Sequence, residues 1–170
     1  MGPKGAELLD GFEHGRIPLL EFMRRVAVLR DAEGLPADPA LGTVVVGSFG
    51  RHTEGRDLMS CILEIEGFKV QKAERDATLE RMVGMCADPS VTAMCISVQS
   101  TYECPDLYRL PDLIAEAGLS ERIVVNIGGA AVTRAEADKM GSDVYGSTAI
   151  ESVRLTKTAV LSEKRTYYHK

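Results

Sequence analysis

Gly42-Thr-Val-Val-Val-Gly-Ser-Phe-Gly-Arg-His-Thr-Glu-Gly55, continued by Arg56-Asp-Leu-Met-Ser-Cys-Ile-Leu-Glu-Ile-Glu-Gly67, is the stretch that decides the fold. Val44, Val45 and Val46 form a β-branched run bounded by glycines, the pattern of a strand buried on both faces of a sheet. In the loop that follows, Gly47 and Gly50 permit a tight turn and close approach of backbone to a ligand. Gly55 opens a helix whose Leu58, Cys61, Ile62 and Ile65 recur at helical spacing, and Gly67 is a natural stop for it. A strand running through such a loop into a helix is the unit of a doubly wound α/β sheet, and these loops lie at the carboxyl ends of the strands, where ligands bind. His52 stands in the middle of this one.

The same unit recurs downstream. Residues 68–73 alternate apolar with polar, as in a strand near a sheet edge. Asp76 is placed to cap the next helix, Leu79, Met82, Val83 and Cys86 give it a buried stripe, and Pro89 ends it. Residues 91–98 read as a central strand, followed by a mixed loop over 99–105. A helix then passes through Leu107, Leu110, Leu113 and Ile114 to Gly118, with Pro111 either a kink or an alternative start. Residues 122–127 predict a fourth buried strand leading into Gly128-Gly129. Thr133 caps a short helix that Gly141 ends, 143–146 predict a fifth short strand, and a helix over 150–161 closes the domain. Five strands alternating with helices predict a five-stranded parallel sheet with helices on both faces.

Upstream, Leu8, Leu9 and Phe12, then Leu19 to Leu29 with Pro18 at the first turn, predict two helices, and Gly34, Pro36 and Pro39 mark 31–41 as an irregular connection. The division is therefore 1–41, a helical segment and linker; 42–163, the sheet domain; and 164–170, a basic tail expected to be solvated.

Composition narrows the function classes. The 170 residues, 45% hydrophobic and 26% charged, suffice for one continuous core and leave no room for a second full domain. A net charge of -5 argues against nucleic-acid or membrane-surface partners, which want a basic field. No apolar run approaches the roughly 20 residues of a membrane helix, and residues 1–6 lack the apolar core of a signal peptide, so the cytoplasm is the expected compartment. Cys61, Cys86, Cys95 and Cys104 lack a Cys-x-x-Cys spacing. The first three fall in apolar patterns and are expected to be reduced packing residues rather than zinc ligands.

Gly50-x-His52-x-x-Gly55 after a valine strand resembles the Asp-x-His-x-x-Gly loop of cobalamin-binding domains, whose histidine is the lower axial ligand of cobalt. Two further stretches are similar to that family in the same order: 96–101, Ile-Ser-Val-Gln-Ser-Thr, resembles its serine-bearing segment after the third strand, and Ile127-Gly128-Gly129-Ala130 its Gly-Gly turn after the fourth. Phe12-Glu-His-Gly15 with 17–23 resembles the end of the helical cap that precedes this domain in corrinoid proteins of methyltransferase systems. The resemblance implies a flavodoxin-like, Rossmann-like strand order and a slot beside the sheet for the nucleotide tail of cobalamin. It assigns His52 to cobalt, Gly47, Ser48, Gly50 and Gly55 to the first loop of the cofactor site, Ser97, Gln99 and Thr101 to the second, and Gly128, Gly129, Tyr145 and Gly146 to the last two.

The motif aspartate is Gly50 here. A metal-bound histidine usually donates its other ring nitrogen to a carboxylate or carbonyl, so a backbone carbonyl, a water or Glu54 is expected to take that place. The function implied is a methyl-group carrier, a subunit rather than an enzyme on its own, that takes a methyl group from one partner and gives it to another. With the cap truncated, another chain, a methyltransferase or a second copy, is expected to cover the upper face of the corrinoid.

Two alternatives stand beside this reading. The short loop between Gly47 and His52 is similar to that of small cobalamin-binding subunits of radical mutases, and the missing aspartate also suits a cobalamin-type domain turned into a non-catalytic interaction module. Glycine and serine are common in any strand-end loop, and a loop histidine is often only solvated.

Overall fold

The computed structural model describes residues 2–49, 52–100 and 104–162; of Cys104 only the backbone is described. Two N-terminal helices, α1 (Pro3–Glu13) and α2 (Leu19–Glu33), precede the strand β1 (Thr43–Phe49) and the helix α3 (Glu54–Glu66). There follow β2 (Lys69–Lys72), α4 (Leu79–Met85), β3 (Val91–Val98), α5 (Cys104–Leu107), α6 (Leu110–Glu116), β4 (Val124–Gly128), α7 (Arg134–Lys139) and α8 (Ala149–Leu161).

The strands are parallel in the order β2-β1-β3-β4, with Val44 opposite Ala93 and Ala93 opposite Val124. β1 and β3 occupy the middle, and their valines, isoleucine and methionine are buried on both faces because helices cover both. Alternation along the strands sorts the core. Val45, Met94, Ile96, Val125 and Ile127 meet α4, α6 and α7 on one face, while Val44, Val46, Ala93, Cys95 and Val124 meet α3 and α8 on the other. Leu9, Phe22 and Val26 of α1 and α2 join that second layer, Phe12 stacking on Phe22 at 4.4 Å between ring centroids. Ion pairs fasten its outside: Arg30 to Glu64 at 3.0 Å, Arg154 to Glu13 at 2.7 Å and Lys157 to Glu66 at 2.8 Å.

The sheet has four strands among the described residues, one fewer than the sequence predicts. The segment over 143–146 keeps a single parallel bridge, Asn126 to Val144. Side chains take over the ladder along this edge: the Val125 N–H donates to Asp143 Oδ2 at 2.7 Å and the Ile127 N–H to Ser142 Oγ at 2.8 Å. With its backbone donors satisfied that way, β4 needs no fifth strand, and the chain is free to turn off at Tyr145. Two smaller expectations also change. Asp76 does not cap α4; it takes a left-handed turn at φ 61°, which aspartate tolerates better than most residues, and Thr78 Oγ1 accepts the cap bond from the Arg81 N–H at 3.2 Å. Helix α2 runs on through Glu33 to a Gly34 cap, so the connection begins three residues late. Pro111 proves to be a start, in the first turn of α6.

Cys61, Cys86 and Cys95 are free and buried. Burial pushes the Cys86 and Cys95 thiols up to about 12 and raises that of Cys61. Since the thiolate is the reactive form, these thiols stay protonated at neutral pH and out of reach. In a Cys104→Ser variant, which leaves only these three, a disulfide reagent is expected to react at the rate of global unfolding in native buffer and at once in denaturant. A rapid native phase would contradict their placement.

Candidate functional site

A cleft of about 260 Å³ opens at the carboxyl ends of β3 and β4, between the first turns of α3 and α8. Its floor is Ile96, Ser97, Gln99 and Gly128; Gly55, Leu58 and Met59 form one wall, and Tyr145 to Ala149 with Ser152 the other. The volume lies just under the roughly 300 Å³ at which small-molecule pockets begin, so the cleft suits one arm of a large ligand better than the whole of it. Two larger hollows, of 310 and 360 Å³, lie against the opposite face of the sheet, one beside α6 and α7 and one beside Phe49, Thr78 and Arg109. Neither gathers the glycines and hydroxyls found in the cleft.

Glycines shape the cleft, two by letting its walls pack closely and one by leaving its floor bare. A Cβ on Gly55 would come within 2.1 Å of Ser97 Oγ and 2.8 Å of Gln99 Nε2, and one on Gly146 within 2.3 Å of the Ser152 nitrogen. Gly128 has nothing within 4 Å of where a Cβ would stand, so its surface is open to the cleft it lines. Gly129, at φ 125°, crosses β3 so closely that a Cβ would sit 2.1 Å from the Val98 carbonyl oxygen.

The polar groups are few and placed. Strand register sets Ser48 beside Ser97 and Ser97 beside Gly128, in one row on the α3 and α8 face. Ser97 is 7% exposed, and its Oγ accepts from Gln99 Nε2 at 3.2 Å. Ser48 is 1% exposed, and its Oγ has no hydrogen-bond partner among the described residues. A buried hydroxyl without a partner costs stability, so its retention beside the cleft fits a polar ligand group reaching that row.

The far wall is tied down by Asn126, whose Nδ2 donates to the Ser152 carbonyl at 3.2 Å and to Thr156 Oγ1 at 2.8 Å. Thr148 caps α8 by accepting from the Glu151 N–H at 3.1 Å, so the positive end of that helix dipole faces the cleft. Tyr145 is held by its hydroxyl, which donates to the Val132 carbonyl at 3.0 Å.

Of the residues singled out from the sequence, Gly55, Ser97, Gln99, Gly128, Gly129, Tyr145 and Gly146 line this one cleft. Ser48 lies in the row beneath it. Gly47 lies on the other face of the sheet, where its missing Cβ leaves room for Met82. Gly50 and Thr101 fall outside the described residues. His52 is on the loop between β1 and α3, with a side chain 63% exposed and Nδ1 3.7 Å from Glu54 Oε2. Leu58, Met59, Ser147, Thr148, Ala149 and Ser152 line the cleft and were not singled out as site residues; the cue open to a reader is Thr148 three residues before Glu151, the spacing of an N-cap. No group of three or more potential metal ligands occurs among the described residues.

No protein-family model matches the chain. Among curated proteins it is 30% identical over 164 residues to dimethylamine corrinoid protein 2 of Methanosarcina mazei, a match covering 88% of this chain and 75% of that one. It is 32% identical over 124 residues to trimethylamine corrinoid protein 2 of Methanosarcina acetivorans, covering 72% of this chain and 57% of that protein. The chain thus spans little more than half the length of its trimethylamine relatives. Two solved structures share the fold: the methanol:cobalamin methyltransferase complex of Methanosarcina barkeri, with a TM-score of 0.77 at 19% identity over 98% of this chain and 69% of that one, and a cobalamin-binding protein of Desulfitobacterium hafniense, at 0.72 and 17% over 91% and 77%. An extended match at this identity, over three quarters of the dimethylamine relative, places the chain in the family of the methylamine corrinoid proteins.

Proposed function

We propose that this chain is a corrinoid carrier of a methyltransferase system: the cleft between α3 and α8 takes the nucleotide tail of cobalamin, and His52 is the lower ligand of cobalt. The observation that carries this reading is the cleft itself, lined by Gly55, Gly128 and Gly146 with Ser97 in its floor, and the buried, unpartnered hydroxyl of Ser48 in the row beneath. When bound, the cofactor supplies a cobalt centre that accepts and releases a methyl group. The chain's own residues bind and orient. Ser97 and Ser48 offer hydroxyls to the tail, the glycines let it lie against the backbone, and His52 presents its imidazole, with Glu54 Oε2 3.7 Å from Nδ1.

The names of the methylamine relatives favour methyl transfer over the radical-mutase reading. Residues 42–163 are then the binding unit and 1–41 a helical segment of cap type, and a methyltransferase, or a second copy of the chain, covers the upper face of the corrinoid. No helix among the described residues is long and apolar enough to cross a membrane. The free buried thiols suit a reducing compartment such as the cytoplasm.

A visible-absorption titration with hydroxocobalamin, followed by desalting and cobalt analysis, tests the proposal. Saturation with cobalt retained in equal molar amount to the chain is expected. Cobalamin that washes away entirely would leave a cobalamin-type fold serving another purpose.

A further inference from the structure

Two buried side-chain atoms among the described residues lack a hydrogen-bond partner, Ser48 Oγ and Asn126 Oδ1, and both residues lie on the sheet face that meets α3 and α8. Neighbours fix the orientation of the Asn126 amide. The Ser152 carbonyl can only accept, and Thr156 Oγ1 gives its own proton to that carbonyl at 2.8 Å. Both atoms therefore face the amide as acceptors, and both take protons from Nδ2. That uses the two amide protons and leaves Oδ1 on the other branch, in a residue 1% exposed, with no proton left in its own network to supply it. Asn126 stands two residues before Gly128, on the same face of β4 and about 7 Å below it. Nothing lies within 4 Å of where a Gly128 Cβ would stand, so the next position up this face is bare. Ser152, which holds the amide, is itself in the cleft wall.

We propose that Asn126 is a specificity-determining residue: its Oδ1 marks the deep end of the slot and accepts a proton from the base at the tip of the cofactor's tail. The chain then prefers corrinoids whose base carries an N–H donor on its outer edge, as an aminopurine does, over the methyl-edged base of cobalamin. This rests on the reading of the cleft as the slot for that tail. The base is the last group of the tail and goes deepest. Oδ1 is closed off from solvent, so the base reaches it as the α8 wall, which Asn126 holds through Ser152 and Thr156, moves outward. A methyl edge at that depth leaves the carbonyl dry and unpaired, whereas an amine satisfies it.

The test titrates the full chain with hydroxocobalamin, with the corresponding adeninyl corrinoid, and with cobinamide, which keeps the corrin and lacks the nucleotide tail. The wild type is expected to bind the adeninyl form about 10-fold or more tighter than cobalamin, and both tighter than cobinamide. Asn126→Leu, of similar size and without an acceptor, is expected to lose that preference. Thr156→Val keeps Oδ1 and removes one bond to the wall, so it is expected to melt earlier than the wild type and to keep the preference. The pair separates the acceptor from the tether. A wild type that binds the two bases alike, or cobalamin more tightly, with both ahead of cobinamide, would overturn the role of Asn126 and leave the slot standing; that comparison needs no variant to fold. A preference that survives Asn126→Leu, with losses equal for both, would overturn it too, by marking a tether only. A wild type that binds all three alike would overturn the slot and the role of Asn126 together.

Discussion

His52→Ala is expected to remove the nitrogen ligand from the cobalt of the loaded protein and to shift its visible spectrum to that of cobalamin with water or nothing below. The loss in affinity is expected to exceed the roughly 10- to 100-fold that follows when a metal-bound histidine merely loses its hydrogen-bond partner. The loop has no substitute to offer. The histidine nearest to it in the sequence, His14, belongs to the turn after α1 and is engaged with Asp10 at 3.1 Å.

Because the His52 side chain is largely exposed, its removal leaves no cavity in the core, so the melting temperature of the unloaded protein is expected to stay put. That separates a ligand from a structural residue. Added imidazole should restore the nitrogen-ligated spectrum to His52→Ala and leave the wild type unaltered. Glu54→Gln probes the same atom from the other side. Glu54 Oε2 lies 3.7 Å from Nδ1, a distance at which a small turn of either side chain makes a hydrogen bond, and losing that carboxylate is expected to cost less than losing His52. A His52→Ala protein with an unchanged spectrum would move the cobalt ligand elsewhere.

The sheet was legible because its signals are local. Val44 to Val46 between glycines, and the helix-period apolar residues from Leu58 to Ile65, each state their conformation within a few residues. Half of the cleft was legible for the same reason, since Gly55, Ser97 and Gly128 stand at strand-to-helix junctions that punctuation marks. The other half was not. Ser147 to Ala149 and Ser152 reach Gly55 only after the sheet has brought together segments some ninety residues apart, and nothing in their own sequence refers to that neighbour. The fifth strand failed for a different reason: Asp143 and Ser142 satisfy the edge of β4 with side-chain oxygens, a replacement that propensity does not distinguish from a strand. Gly47 was separable in principle. It lies two residues after Val45, so the alternation of β1 already assigned it to the face away from α3.

Gly128, which ends β4, and Gly129, which follows it, do different jobs, and alanine at each should separate them. Gly129→Ala is expected to cost about 3–5 kcal/mol and lower the melting temperature by about 10 °C or more. Its φ of 125° is one that L residues rarely adopt, and the new Cβ would lie 2.1 Å from the Val98 oxygen and 2.7 Å from the Val98 nitrogen. Those are backbone atoms at the end of β3, a strand paired on both sides, so relief requires moving the middle of the sheet. Gly128→Ala, one residue earlier, meets nothing within 4 Å and has no such φ. Alanine there restricts the unfolded chain, an effect worth about 0.4–1 kcal/mol in favour of the native state, so its melting temperature should hold or rise. Yet Gly128 lines the cleft beside Ser97, and a methyl group at that point intrudes on whatever the cleft receives. A stable Gly128→Ala protein with weakened cobalamin retention, beside a Gly129→Ala protein that melts early, would assign the first glycine to the ligand and the second to the fold. A Gly128→Ala protein that binds as well as wild type would remove Gly128 from the cofactor site while leaving the argument for Gly129 intact.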